Sequence, residues 1–292
     1  MIKKFYKFSA KRIGENNKSV KWYWRPQEHE MFHNDVYKNY LIKRRSNVFP
    51  EYKKFSRIFN YSFLKKFVKS SEEEPHIELL PTDEQGNPSY DSTLIWLYDG
   101  DYIETFIEHF LEFNNFHPKN FKILFYRAPI NPITYDSVVL ERAWFNIFNL
   151  PDAAGRREIN KKEIENFNLP IQKEIQNQYN LIGDYSKIFL GGFSSSACMA
   201  IYSLMTCKEK LGGGVAFSGF NFDFTPLDEE KKQIPILCVN GIDDEVVILR
   251  HVRNSFSNMK KLGFNLQTVE EPGLRHFFTK SGLKYANSIL SK

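Results

Sequence analysis

Short apolar runs alternate with helical patterns over the last two thirds of the chain. Runs typical of buried strands occupy residues 93–98, 121–127, 187–190, 214–217, 234–239 and 266–270. Apolar residues recur at helical spacing over residues 102–113, 157–178, 195–205, 246–262 and 277–291. Strands separated by helices are typical of βαβ units. The pattern therefore predicts an α/β fold with a mostly parallel central sheet flanked by helices.

The first 70 residues do not follow this rhythm, and no strand alternation is evident in them. They contain 18 Lys and Arg against 5 Asp and Glu, whereas residues 71–292 contain 22 against 30. The segment 70–90 is acidic and rich in turn residues, which predicts a linker or hairpin. We therefore expect an N-terminal extension and linker over residues 1–90 and one α/β domain over residues 91–292.

Basic and aromatic residues are interleaved in the extension, as in Trp22-Tyr23-Trp24-Arg25. This composition favours a docking arm, with residues 1–70 bound to its own domain or to a protein partner through aromatic anchors. Nucleic acid and an anionic membrane surface are the alternative partners. Residues 1–13 are basic and free of acidic residues, which resembles a mitochondrial transit segment. The alternative is an ordinary basic tail on a cytoplasmic protein.

The composition disfavours two classes of protein, those that span a membrane and those held together by disulfides or a cysteine-bound metal. No apolar run reaches the 18 or so residues of a membrane span. The three cysteines, Cys198, Cys207 and Cys238, lie in or beside apolar segments and do not have metal-ligand spacing. We expect them to be reduced thiols of the protein core.

A serine lies between the apolar run that ends at Phe193 and the helical pattern that follows. The segment Gly192-Phe193-Ser194-Ser195-Ser196 differs at its last position from Gly-x-Ser-x-Gly, the strand-to-helix turn that presents a nucleophilic serine. Such a serine needs a base, and the base needs a carboxylate that orients it. Asp243 and Asp244 follow one later strand, and His276 follows the next. The order serine, acid, histidine is that of α/β-hydrolases.

Several further segments make the resemblance specific. Arg127-Ala128-Pro129-Ile130-Asn131-Pro132-Ile133-Thr134 and Ala143-Trp144-Phe145 are similar to an "APxxPVT…WFD" stretch, Leu190-Gly191-Gly192-Phe193-Ser194 to "LGGFSQGG", Gly241-Ile242-Asp243-Asp244 to "HGxxDxxV", and Gly273-Leu274-Arg275-His276 to "GxxH". These are motifs of the acyl-protein thioesterase/lysophospholipase (phospholipase/carboxylesterase) family of α/β-hydrolases, which residues 92–292 resemble.

The resemblance implies a serine hydrolase of carboxylic esters, acyl thioesters or lysophospholipids that needs neither a metal nor an organic cofactor. By motif position Ser194 is the nucleophile, His276 the base and Asp244 the orienting acid. Val247 matches the family's valine after the acid and so favours Asp244, with Asp243 as the competing acid.

The chain departs from the family at the turn that faces the serine. The family's first strand ends in His-Gly, whereas this chain has Tyr98-Asp99-Gly100-Asp101. We expect the oxyanion hole to use the N–H of Ser195 and that of Gly100 or Asp101, although Asp101 is equally suited to cap the helix predicted at 102–113. Acidic side chains at this turn would oppose a developing negative charge, and losing one oxyanion donor costs about 2.7–4 kcal/mol.

The elbow itself also departs from the family. Ser195 replaces a glutamine, and Ser196 and Ala197 replace two glycines, which predicts a feasible but more crowded turn. These departures leave a second hypothesis open. In it the chain is a non-catalytic or weakly active accessory subunit of a large mitochondrial assembly that keeps the hydrolase domain as a scaffold.

Overall fold

The computed structural model describes residues 9–10, 22–23, 40–45, 76–81, 83–85, 87–99, 120–133, 139–146 and 158–290. Its strands are β1 (Ser9–Ala10), β2 (Trp22–Tyr23), β3 (Tyr40–Arg45), β4 (His76–Pro81), β5 (Ser92–Tyr98), β6 (Phe121–Arg127), β7 (Ile130–Ile133), β8 (Val139–Arg142), β9 (Ile188–Phe193), β10 (Gly213–Phe217), β11 (Ile236–Gly241) and β12 (Leu266–Glu271). Its helices are α1 (Lys161–Ile182), α2 (Ser195–Thr206), α3 (Leu249–Lys261) and α4 (Lys280–Leu290), with short 3₁₀ turns at Tyr185–Lys187 and Glu229–Lys231.

The main sheet has eight strands in the order β12-β11-β10-β9-β5-β6-β4-β3. The six strands from β12 to β6 run parallel, β4 is antiparallel to β6, and β3 is antiparallel to β4. Two short antiparallel pairs, β1 with β2 and β7 with β8, lie outside this sheet. The predicted α/β fold with a mostly parallel sheet is confirmed.

Helices cover both faces of the sheet, which explains why its central strands read as continuous apolar runs. In β5, Ile95 and Leu97 belong to the core under α1, α2 and α3. Leu94 and Trp96 point to the opposite face and belong to the core under α4. Successive side chains of a strand alternate between faces, so each strand contributes to both cores.

Strand β4 lies in the segment predicted as a linker or hairpin, and for residues 76–81 the linker prediction is wrong. Ile77 and Leu79 are buried in the core under α4. Glu78 between them is also buried, and its carboxylate lies 3.5 Å from the Nζ of Lys122 on β6. Because this ion pair places a charged residue inside a core strand, β4 is not a continuous apolar run and its sequence does not predict a buried strand. The division of the chain at residue 90 stays a prediction.

Hydrogen bonds at the helix ends explain why α1 and α4 differ in their bounds from the predicted helices. Helix α1 begins after Asn160, whose side chain accepts the N–H groups of Lys162 and Glu163, and it ends at Gly183 with φ 79°. Helix α4 begins at Lys280 rather than 277, because the Thr279 hydroxyl accepts the N–H of Gly282 at 3.1 Å. The helix predicted at 102–113 and the predicted transit segment at 1–13, apart from Ser9–Ala10, lie outside the described residues.

Candidate active site

Ser194 lies at the sharp turn between β9 and α2, at the carboxyl edge of the sheet. Its backbone has φ 59° and ψ −125°, a conformation that L-residues rarely adopt, and its N–H donates to the carbonyl of Phe217 at 2.9 Å. The turn is so tight that a Cβ on Gly192 would lie 2.5 Å from the carbonyl carbon of Ser196. Only glycine fits at position 192, and the predicted elbow has the expected strand–turn–helix geometry.

Three of the predicted residues meet in one hydrogen-bonded chain. The Nε2 of His276 lies 3.0 Å from the Oγ of Ser194. The Nδ1 of the same ring lies 2.9 Å from Oδ2 and 3.1 Å from Oδ1 of Asp244. The ring of Phe193 packs against the imidazole with 4.8 Å between ring centroids. The structure thus places a serine hydroxyl, an imidazole and a carboxylate in contact, although they are far apart in the sequence.

Asp244 is held as an anion by its surroundings. Its side chain is buried, and its Oδ1 accepts the N–H groups of Val246 at 2.9 Å and Val247 at 2.8 Å. Burial alone would raise the pKa of Asp244. The hydrogen bond and charge of His276 and the two backbone amides outweigh burial, so the pKa of Asp244 lies below its ordinary value. Helix α3 begins at Leu249, after this loop, rather than at the predicted residue 246.

Asp243 is exposed and anchors the loop through its backbone instead. Its N–H donates to the carbonyl of Leu274 at 3.1 Å, which joins the acid loop to the histidine loop. An exposed ion pair between Arg275 and Glu245 spans the same two loops. The acid that contacts His276 is therefore Asp244.

Ser196 and Ala197, where the chain departs from the family, contact residues that are distant in the sequence. The Ser196 hydroxyl accepts the indole N–H of Trp144 at 3.0 Å, and both side chains are fully buried. Ala197 packs against Gly219, where a Cβ would come within 2.6 Å of the alanine methyl. The crowding predicted at this turn is thus relieved by residues distant in sequence, and no local signal pointed to Gly219.

Asp99, at the carboxyl end of β5, contacts the first turn of α2. The Ser195 hydroxyl donates to Asp99 Oδ2. Removal from water raises the pKa of Asp99 above its ordinary value, although the hydroxyls of Ser195 and Ser196 act in the opposite direction. Gly100 and Asp101, the predicted oxyanion donors, lie outside the described residues, so their role stays a prediction. Sequence reasoning assigned no contact to Asp99.

Other features of the described residues add no further candidate chemistry. No group of three His, Cys, Asp or Glu side chains in that part of the chain is arranged to hold a metal ion. Cys198, Cys207 and Cys238 are buried free thiols, as expected. In the same residues, no helix combines the length and apolar character needed to cross a membrane.

Comparison with known proteins relates the chain to one family. The model of the phospholipase/carboxylesterase family matches residues 104–292. A probable carboxylesterase SOBER1-like of Arabidopsis thaliana is 30% identical over 181 residues, which cover 60% of this chain and 68% of that protein. Acyl-protein thioesterase 1 of Debaryomyces hansenii is 28% identical over 178 residues, which cover 57% of this chain and 74% of that protein.

Solved structures show the same fold. The crystal structure of Arabidopsis thaliana SOBER1 matches with a TM-score of 0.59 and 24% identity, covering 68% of this chain and 97% of that one. That of Zea mays acyl-protein thioesterase 2 matches with a TM-score of 0.55 and 20% identity, covering 70% and 96%. The predicted α/β-hydrolase fold is confirmed.

Proposed function

The chain belongs to the phospholipase/carboxylesterase family, and from this we propose that it is a serine hydrolase of carboxylic esters and acyl thioesters with Ser194, His276 and Asp244 as its catalytic triad. The observation that supports this most strongly is the chain of contacts from Ser194 Oγ through His276 to Asp244, at 3.0 and 2.9 Å. The relatives named carboxylesterase and acyl-protein thioesterase support the substrate class.

The proposed mechanism follows from the roles of the two ring nitrogens of His276. Asp244 accepts the Nδ1–H, which leaves the lone pair of Nε2 facing the Ser194 hydroxyl. Nε2 takes the hydroxyl proton as Ser194 Oγ attacks the acyl carbonyl carbon. The imidazolium then returns this proton to the departing alcohol or thiol. Water hydrolyses the acyl-enzyme by the same steps, and Ser194 is restored.

The first turn of α2 supports one oxyanion donor in this proposal. Backbone N–H groups at the start of a helix have no acceptor within the helix, and the helix dipole favours negative charge there. The N–H of Ser195, the first residue of α2, is therefore suited to the tetrahedral oxyanion. The second donor is assigned to the N–H of Gly100 or Asp101.

Hydrolysis of a neutral ester and a neutral thioester by the purified full chain tests the proposal. We expect Ser194→Ala to abolish turnover and Asp244→Asn to lower kcat by about 10⁴-fold, because the amide would favour the wrong imidazole tautomer. Asp243→Asn is the matched control, since it makes the same chemical change on the same loop at an exposed site. Loss of activity in Asp243→Asn together with an active Asp244→Asn would contradict the assignment.

A second candidate function is the accessory subunit. The contact between Asp99 and Ser195 favours it, because a carboxylate beside the nucleophile opposes the charge that develops in acyl transfer. In that case the full chain migrates in a high-mass complex on native gels, and a variant lacking residues 1–39, which retains β3, does not. Migration of both proteins as free chains would exclude this candidate. The mitochondrial location remains a prediction.

A further inference from the structure

We propose that the carboxylate of Asp99 selects substrates by charge, favouring esters and thioesters that have a cation close to the scissile carbonyl and disfavouring those with an anion there. The inference rests on the proposed serine hydrolase function. It assigns a specificity-determining role to a residue that takes no part in the triad.

Strand register places Asp99 next to the nucleophile. Strands β5 and β9 are parallel neighbours, and Leu97 pairs with Gly192. Two further residues along each strand bring Asp99 alongside Ser194, and adjacent strands lie about 4.8 Å apart. The hydrogen bond from the Ser195 hydroxyl to Asp99 Oδ2 fixes the carboxylate on the side of α2. A substrate acyl group bound at Ser194 therefore lies within a few ångströms of this carboxylate.

Among the described residues, the groups that interact with Asp99 do not fully neutralise its negative charge. The Ser195 and Ser196 hydroxyls are neutral donors, so they stabilise the Asp99 anion without supplying an opposite charge. His276 also acts on Asp99 electrostatically, but it is shared with Asp244, which lies in direct contact with it. A substrate cation would supply the opposite charge that these groups do not.

Partial burial makes this carboxylate responsive to a bound charge. Removal from water raises the pKa of Asp99, so its anion is poorly solvated in the free protein. An opposite charge in a site with reduced access to water is attracted more strongly than in bulk solution. An anionic group in the same place is repelled for the same reason. The carboxylate of Asp243 is exposed instead, where water and salt screen its charge.

The test compares two thioesters of the same shape, acetylthiocholine and S-(3,3-dimethylbutyl) thioacetate, which differ only in a trimethylammonium or a tert-butyl group. For the wild-type full chain at about pH 8, we expect kcat/KM to be at least about tenfold higher for the cationic thioester, a difference of about 1.4 kcal/mol. Asp99→Asn should bring the ratio of the two kcat/KM values near one, and Asp99→Glu should restore part of the preference for the cationic thioester.

Asp243→Asn is the matched control, because it changes the net charge by the same amount and so tests for long-range attraction. Its ratio should equal that of the wild type. Inhibition of the wild type by choline, compared with 3,3-dimethyl-1-butanol, gives a second readout that needs no variant: choline should inhibit at least about tenfold more strongly.

The outcomes separate the two proposals. Hydrolysis of the neutral ester that is lost in Ser194→Ala supports the proposed function whatever the charge preference. Equal ratios in the wild type and Asp99→Asn, or equal inhibition by the two alcohols, would overturn charge selection alone. Absence of hydrolysis of both esters by the folded wild type would overturn the proposed function, and charge selection with it.

Discussion

Replacing Ser194, the proposed nucleophile, with glycine should leave the protein more stable than replacing it with alanine. With φ 59° and ψ −125°, Ser194 occupies a backbone region that is favourable for glycine and unfavourable for residues with a Cβ. Ser194→Ala and Ser194→Gly both lose the hydroxyl that contacts His276. They differ in the Cβ, which only alanine retains, so their difference in stability reports the backbone strain at the elbow.

The magnitude follows from two opposing terms. A residue in a sparsely populated backbone region costs of order 1–3 kcal/mol, which glycine avoids. Glycine in turn loses more conformational freedom on folding than alanine, by about 0.5–1 kcal/mol. We therefore expect Ser194→Gly to exceed Ser194→Ala in unfolding free energy by about 1 kcal/mol, corresponding to a Tm higher by about 2–4 °C.

Calorimetry and urea denaturation of both variants measure this difference. The same pair of substitutions at Ser203 is the control, because that residue is buried within helix α2 and its hydroxyl contact to Asn168 is lost in both variants. There glycine should be less stable than alanine by about 1 kcal/mol. The sign of the difference should thus reverse between the two sites. A Ser194→Gly protein less stable than Ser194→Ala would refute strain at the elbow.

Three further predictions concern stability. Removal from water raises the pKa of Asp99, so its protonated form stabilises the fold below the ordinary Asp pKa of about 3.9, and this contribution is lost as pH rises through the folded value. Asp99→Asn should therefore gain on the wild type in urea midpoint as pH rises above about 4, and a difference that stays constant with pH would contradict this. Gly192→Ala should lower the unfolding free energy by at least about 1–3 kcal/mol in urea denaturation, because its methyl meets backbone at Ser196, and wild-type stability would contradict the tight turn. Glu78→Leu should lower the unfolding free energy by about 3–5 kcal/mol, because the buried Lys122 ammonium loses its carboxylate. Adding Lys122→Met should recover most of this loss. A Glu78→Leu protein as stable as the wild type would show that β4 is not part of the folded core.

Some elements could be predicted from the sequence because their local pattern reflects their environment. The central parallel strands are buried on both faces, so runs such as 93–98 and 234–239 are almost entirely apolar. Strand β4 lacks this signature, since Glu78 is buried through a partner 44 residues further along the chain. A pairing of this kind depends on the register of β4 against β6, which no single-strand pattern contains.

The candidate site likewise combines residues with a local sequence signal and contacts that depend on the fold. Chain order and spacing predicted Ser194 and His276 as site residues, because an elbow and a loop after the last strand are local features. Spacing left the acid open between Asp243 and Asp244, and in the structure it is the Asp244 carboxylate that accepts two backbone amides and contacts His276. The contact of Asp99 with Ser195 spans 96 residues and depends on β5 lying beside β9. Such a contact becomes visible only once the strand order is known.

Labelling with a neutral fluorophosphonate, followed by peptide mass spectrometry, tests the proposed nucleophile most directly. The reagent phosphonylates a serine only when a base activates the hydroxyl. We expect the folded wild type to acquire one adduct, located on Ser194, and Asp243→Asn to react at the same rate. Ser194→Ala should acquire none. A folded wild type that stays unlabelled under conditions that label an active relative, or equal labelling of Ser194→Ala, would contradict the account.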